Sequence, residues 1–138
     1  MDASVALAWG FPDEANEYAD TVLSGLAQST MLVPALFALE VTNALVVGER
    51  CKRIRPTEIR RFLALLAGIP MVQDIQPIGG SMSSVLSLAR EHGLSAYDAA
   101  YLELAIRENA PLATLDQALS AAAQKTGVHS YPHRSLPV

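Results

Sequence analysis

Short apolar runs and helical stretches take turns along this chain, and that alternation limits its fold more than any other feature. "MLVP" (Met31–Pro34), "IPMVQDI" (Ile69–Ile75), "APLAT" (Ala110–Thr114) and "VHSY" (Val128–Tyr131) are strand-length and bounded by turn residues. A further run, "DASVALA" (Asp2–Ala8), reads as a short buried strand leading into a turn at Gly10. Between these lie segments with helical signatures. Pro12–Ala27 carries Pro and acids in its first turn, and Ala35–Arg50 places Phe37, Val41, Ala44, Leu45 and Gly48 at helical spacing. Pro56–Gly68, Gly79–Gly93, Leu94–Ile106 and Leu115–Gly127 follow, three of them stopped by glycine. The alternation predicts a three-layer α/β/α fold, a small parallel sheet of four to five strands flanked by helices. One domain over residues 1–138 is expected.

Composition narrows the function classes. The chain is 51% hydrophobic and 17% charged, enough for a packed core and unlike a disordered segment. Its single cysteine, Cys51, excludes disulfide frameworks and cysteine-based zinc sites. The longest apolar run, Phe62–Val72, is too short to span a bilayer and is broken by Gly68 and Pro70. No basic region precedes Asp2, so no secretory signal is expected and the cytoplasm is the expected location. A net charge of −4 argues mildly against a wholly nucleic-acid-binding surface. Yet six of the ten basic residues, Arg50, Lys52, Arg53, Arg55, Arg60 and Arg61, fall within twelve positions. They form a solvated corner between helices, a phosphate-contacting patch, or a surface for an acidic partner.

Ligands of parallel α/β sheets bind beyond the C-terminal strand ends. Asp2 lies on the first predicted strand, Asp98 in the first turn of its helix, and Asp116 at the opening of another. Each has a plain structural role available. Asp98 forms a capping box with Ser95; Asp116 offsets a helix dipole, with Thr114 as cap and Gln117 completing a box; Asp2 is a solvated terminus. Glu40 fits such a role least, because it sits inside an apolar helix ("FALEVTNALVV"). Carboxylates sharing one cleft need cations between them. Oxygen donors without suitably spaced Cys or His select Mg²⁺ or Mn²⁺; His92, His129 and His133 lack that spacing and are expected at the surface. Acidic pockets holding divalent metals are what phosphodiester hydrolysis uses.

The blocks "DASVALAW", "ALEVTNAL", "LSAYDAAYLELA" and "PLATLDQALSAAA" together resemble the PIN domain, and most of all its VapBC toxin-ribonuclease type. Each block is weak alone, but the ordered set spans nearly the whole chain. The resemblance implies a parallel sheet between helices, Mg²⁺ or Mn²⁺ bound by acids, cleavage of RNA, a homodimer, and silencing by a cognate VapB-type antitoxin. It assigns the four acids to Asp2, Glu40, Asp98 and Asp116, with Ser4, Asn43 and Thr114 in support. In that family the first acid ends a hydrophobic strand of several residues, whereas here Met1 alone precedes Asp2. Two other readings stay open. A haloacid-dehalogenase-type phosphotransferase needs a second acid where Ser4 stands, and a non-catalytic PIN-fold interaction module needs no chemistry at all.

Overall fold

The computed structural model describes residues 1–132; His133 and the rest of the tail expected at the surface lie outside the described residues. The elements run α1 (Ala3–Gly10), α2 (Glu17–Gly25), β1 (Met31–Val33), α3 (Phe37–Arg50), α4 (Pro56–Ala67), β2 (Met71–Gln73), α5 (Ile78–His92), α6 (Ala96–Arg107) and α7 (Gln117–Lys125). β1 and β2 pair in parallel with Leu32 opposite Val72, and a second parallel contact joins Leu112 to Ser130. Parallel pairing between helices is the α/β arrangement that the alternation predicts. Regular pairing among the described residues is confined to these two places.

Local chemistry explains where the helices start and stop. Pro56 opens α4, and the Glu58 carboxylate reaches back to accept the Arg55 N–H at 2.8 Å. Gly93 takes a left-handed conformation (φ 64°) to end α5. Gly48 is required inside α3, because a Cβ there would fall on the Phe11 ring.

Two boundaries differ from the sequence expectation. The run Asp2–Ala8 is not a strand: Ala3 to Gly10 coil into α1, with Asp2 extended just ahead of it. Ala and Leu dominate that run, and once Asp2 leaves the sheet their helix preference decides. The helix expected from Pro12 to Ala27 is broken. Pro12–Glu14 form one tight turn, then the Asn16 side chain accepts the Ala19 N–H at 2.9 Å and starts α2 afresh. His92, expected at the surface, is half-buried, and its Nε2 is enclosed with no hydrogen-bond partner among the described residues. Cys51 is exposed.

α6 carries the core. Tyr101 through Ala105 are five consecutive buried residues, so this helix is enclosed on every side. Beside it, two chain segments face each other across a gap. β1 is bonded to β2 on its outer edge (Met31 N–H to Pro70 O, 2.9 Å; Asp74 N–H to Val33 O, 2.8 Å). Leu112 is bonded on its own outer edge (Leu112 N–H to His129 O, 2.9 Å; Tyr131 N–H to Leu112 O, 3.0 Å). Met1 and Asp2 bridge the two: the Met1 amino group donates to Leu32 O at 2.9 Å and the Asp2 N–H to Ala113 O at 3.0 Å. Beyond Met1 lies a cavity of about 250 Å³, lined by Val22, Leu26, Met31, Tyr101, Leu104 and Leu112 among others. Strand alternation aims the Leu32 N–H into it.

Candidate active site

On the other side of Met1 and Asp2 the surroundings turn polar. A cleft of about 420 Å³ is lined by Asp2, Glu40, Asp98 and Asp116, together with Ser4, Asn43, Glu14 and Arg53. Four separate elements deliver the four acids. Asp2 sits at the head of α1, Glu40 in the first turn of α3, Asp98 in the first turn of α6, and Asp116 at the N-cap of α7.

Asp2 is the most enclosed, at 4% exposure. Its Oδ2 accepts two hydroxyls, Ser4 Oγ at 2.6 Å and Thr114 Oγ1 at 2.8 Å. Those hydroxyls are themselves fixed by the Leu115 and Asp116 backbone N–H groups, each at 3.0 Å. Both lone-pair positions of Oδ2 are engaged, which leaves Oδ1. Asp116 caps α7 through Oδ1, which accepts the Leu119 N–H at 2.7 Å. Thr114 is therefore not the cap of α7, and Gln117 is its first residue.

Asp98 corrects its expected capping role by half. Ser95 Oγ accepts the Asp98 N–H at 3.1 Å and caps α6. Among the described hydrogen bonds, none returns from the Asp98 carboxylate to the Ser95 N–H, so the box has one arm and the acid faces the cleft. Glu40 is half-buried, and Tyr101 donates its phenol to Glu40 Oε1 at 2.6 Å.

Burial pushes the Glu40 carboxyl above its ordinary range, with the charges of Asp2 and Asp98 adding to the rise and the Tyr101 hydrogen bond opposing it. Burial likewise raises Asp98, helped by Asp2 and Asp116 and opposed by Ser95. The charges of Asp2, Asp98 and Asp116 thus bear on their neighbours in the cleft. Among the described residues, no three His, Cys, Asp or Glu side chains stand close enough to form a finished metal shell. They line the walls of one cleft instead. The donors are carboxylate oxygens, with free oxygens left on Asp2 and Asp116. That chemistry fits a hard divalent ion and suits neither a soft nor a nitrogen-seeking one.

The basic stretch does not act as one surface. Arg53 lies at the cleft rim, bonded to Asp13 (3.0 Å) and Glu14 (2.6 Å), with its guanidinium 4.8 Å from the Phe11 ring centroid. Arg55 turns to Glu58 at 2.9 Å. Arg61 lines a different groove with Trp9 and Phe62, while Arg50, Lys52 and Arg60 are exposed. Sequence reasoning gave neither Tyr101 nor Glu14 a place in the site. Tyr101 lies three positions after Asp98, hence on the same helical side, and that spacing was the available signal. Glu14 offered none, since its place in the cleft depends on the turn before α2.

Comparison with known proteins agrees with this geometry. The PIN domain family matches residues 1–125. Ribonuclease VapC3 of Pyrobaculum aerophilum is 31% identical over 120 residues, covering 87% of this chain and 90% of that protein. The crystal structure of PAE2754 from the same organism superimposes with a TM-score of 0.64 at 27% identity, over 88% of this chain and 76% of that one. A fold of this kind with four carboxylates in one cleft, matched over most of its length, leaves one assignment: the chain belongs to the PIN-domain family, as a VapC-type member.

Proposed function

We propose that this protein is a divalent-metal-dependent endoribonuclease, the toxin of a type II toxin–antitoxin pair. The observation that carries the reading is the convergence of Asp2, Glu40, Asp98 and Asp116, from four separate elements, on one cleft. The name of its relative, Ribonuclease VapC3, supports RNA as the substrate.

Asp2, Glu40, Asp98 and Asp116 would hold Mg²⁺ or Mn²⁺. When bound, the ion supplies an activated water and charge stabilisation for phosphodiester hydrolysis. The protein's own contribution is preorganisation. Ser4 and Thr114 lock Asp2 at one oxygen, the α7 backbone locks Asp116, and the first turn of α6 presents Asp98. Asn43, exposed one helical turn after Glu40, offers an amide to an RNA strand entering the cleft. Arg53, 43% exposed at the rim, supplies the nearest cation for a phosphate. Ser4, spent on Asp2, does not serve as the second acid of a phosphotransferase.

Exposed apolar residues on α3 (Leu39, Val46, Val47) and α4 (Leu63, Leu65) support contact with a second copy and with a VapB-type antitoxin. No helix among the described residues is long and apolar enough to cross a membrane. A ribonuclease of this type would act in the cytoplasm, where its substrate is.

The test is cleavage of single-stranded RNA with and without Mn²⁺, using the unaltered protein and Asp98→Asn. Metal-dependent cleavage that falls by more than about 100-fold in the variant, with its melting temperature kept, supports the enzyme. Absence of cleavage by the unaltered protein at any metal concentration supports the interaction module instead.

A further inference from the structure

Tyr101 is buried, with 1% of its surface exposed, in the middle of the most enclosed helix of the fold. A tyrosine placed there for packing alone would leave its hydroxyl to be satisfied by whatever lay nearby. Instead the phenol donates to Glu40 Oε1 at 2.6 Å, across to α3. At that length a hydroxyl–carboxylate bond belongs to the charge-assisted class, which fixes geometry as well as adding energy.

Two of the other acids, Asp2 and Asp116, show the same arrangement. On Asp2 one oxygen is taken by Ser4 and Thr114, and on Asp116 one oxygen is taken by the Leu119 N–H. Glu40 is the longest and most flexible of the four side chains, with three rotatable bonds, so it has most to lose without such a tether. Its tether comes from a residue whose ring also lines the apolar cavity beyond Met1.

We propose that Tyr101 is the positioning residue of Glu40: its phenol occupies Oε1 and thereby turns Oε2 toward the metal-binding cleft. This rests on the reading of Glu40 as a metal-holding group. Outer hydrogen-bond partners of metal ligands carry about 10- to 100-fold of metal affinity in other sites.

The experiment is a calorimetric Mn²⁺ titration, without RNA, of the unaltered protein, Tyr101→Phe, Glu40→Gln and the double variant. The expected result is Mn²⁺ binding about 10-fold weaker in Tyr101→Phe, with the melting temperature close to the parent. Glu40→Gln should bind more weakly still, and the double variant no more weakly than Glu40→Gln, because both changes act through one carboxylate. Unchanged affinity in Tyr101→Phe overturns the proposal, and so does a double variant in which the two losses add in full. Parent-like affinity in Glu40→Gln removes the reading of Glu40 beneath it, which is a separate outcome. Should Tyr101→Phe fail to fold, Glu40→Asp replaces it by withdrawing the carboxylate from an intact phenol. A weaker Mn²⁺ affinity there supports the tether, and a parent-like one overturns it.

Discussion

Two of the molecule's cavities lie back to back, separated by Met1, Asp2 and Tyr101, and they are opposites. The apolar one is walled by β1, α6 and the Leu112 segment, and is lined mostly by apolar side chains such as Val22, Leu26, Leu104 and Leu112. The acidic one is walled by helix starts and gathers carboxylates that repel one another. The first is a place where added apolar matter should stabilise the protein. The second is a place where mutual repulsion among carboxylates costs stability, a cost that the proposed cation would offset. Two sites a residue apart can therefore be told apart by whether a substitution changes activity or stability.

The largest separation should come from setting Asp98→Asn beside Leu112→Ala. The first is expected to abolish cleavage while holding or slightly raising the melting temperature, since it relieves repulsion among acids. The second, at a residue 3% exposed, should cost about 2–4 kcal/mol in denaturant titrations while the molecules that stay folded keep cleaving. Equal effects of both on stability would erase the contrast.

The Met1 amino group gives the next largest effect. Burial lowers its pKa to about 6, against the pull of Asp2. The unfolded chain then holds the proton across a window, from about 6 to about 8, in which the folded chain has released it. Stability should rise with pH through that window, by an amount on the order of 2 kcal/mol, and acetylating the amino group should flatten the slope. Smaller still is the gain from fusing a short extended apolar segment ahead of Met1. Seating one Val-sized side chain in the cavity should add about 1.5 kcal/mol and tighten Mn²⁺ binding by firming Asp2, whereas a Gly-Ser segment of equal length adds nothing. The smallest effect belongs to the rim. Arg53→Ala should reduce the salt dependence of RNA binding by less than one phosphate's share, a slope of about 0.7, because its charge is already engaged by Asp13 and Glu14.

The layout of the fold was largely legible in the sequence, and the missing parts have physical causes. α3 to α7 follow from periodicity, proline starts and glycine stops; Asp98 and Asp116 follow from their addresses at helix openings, and Glu40 from being an acid inside an apolar helix. α1 was not legible, because a short run of Ala, Val and Leu suits a buried strand as well as a helix. What decides is that Asp2, tied to Ala113, marks the turning point between extended chain and coil. The break at Asn16 was hidden by a continuous pattern of acids on both sides of it. Tyr101 was missed for a different reason. Its partner Glu40 lies 61 positions away, and no periodicity within α6 reveals a bond to another helix.

The enclosure of α6 has a consequence for how this sequence can vary. A helix with solvent on one face can accept almost any polar residue there, and α5, none of whose described side chains is fully buried, is such a helix. From Tyr101 to Ala105 no face of α6 is free. A complete single-substitution library, selected for soluble expression alone, should therefore leave a gap over those five positions while α5 fills with nearly every residue type. The cleft acids beside them should pass that first selection and, under the proposed function, fail only one for activity.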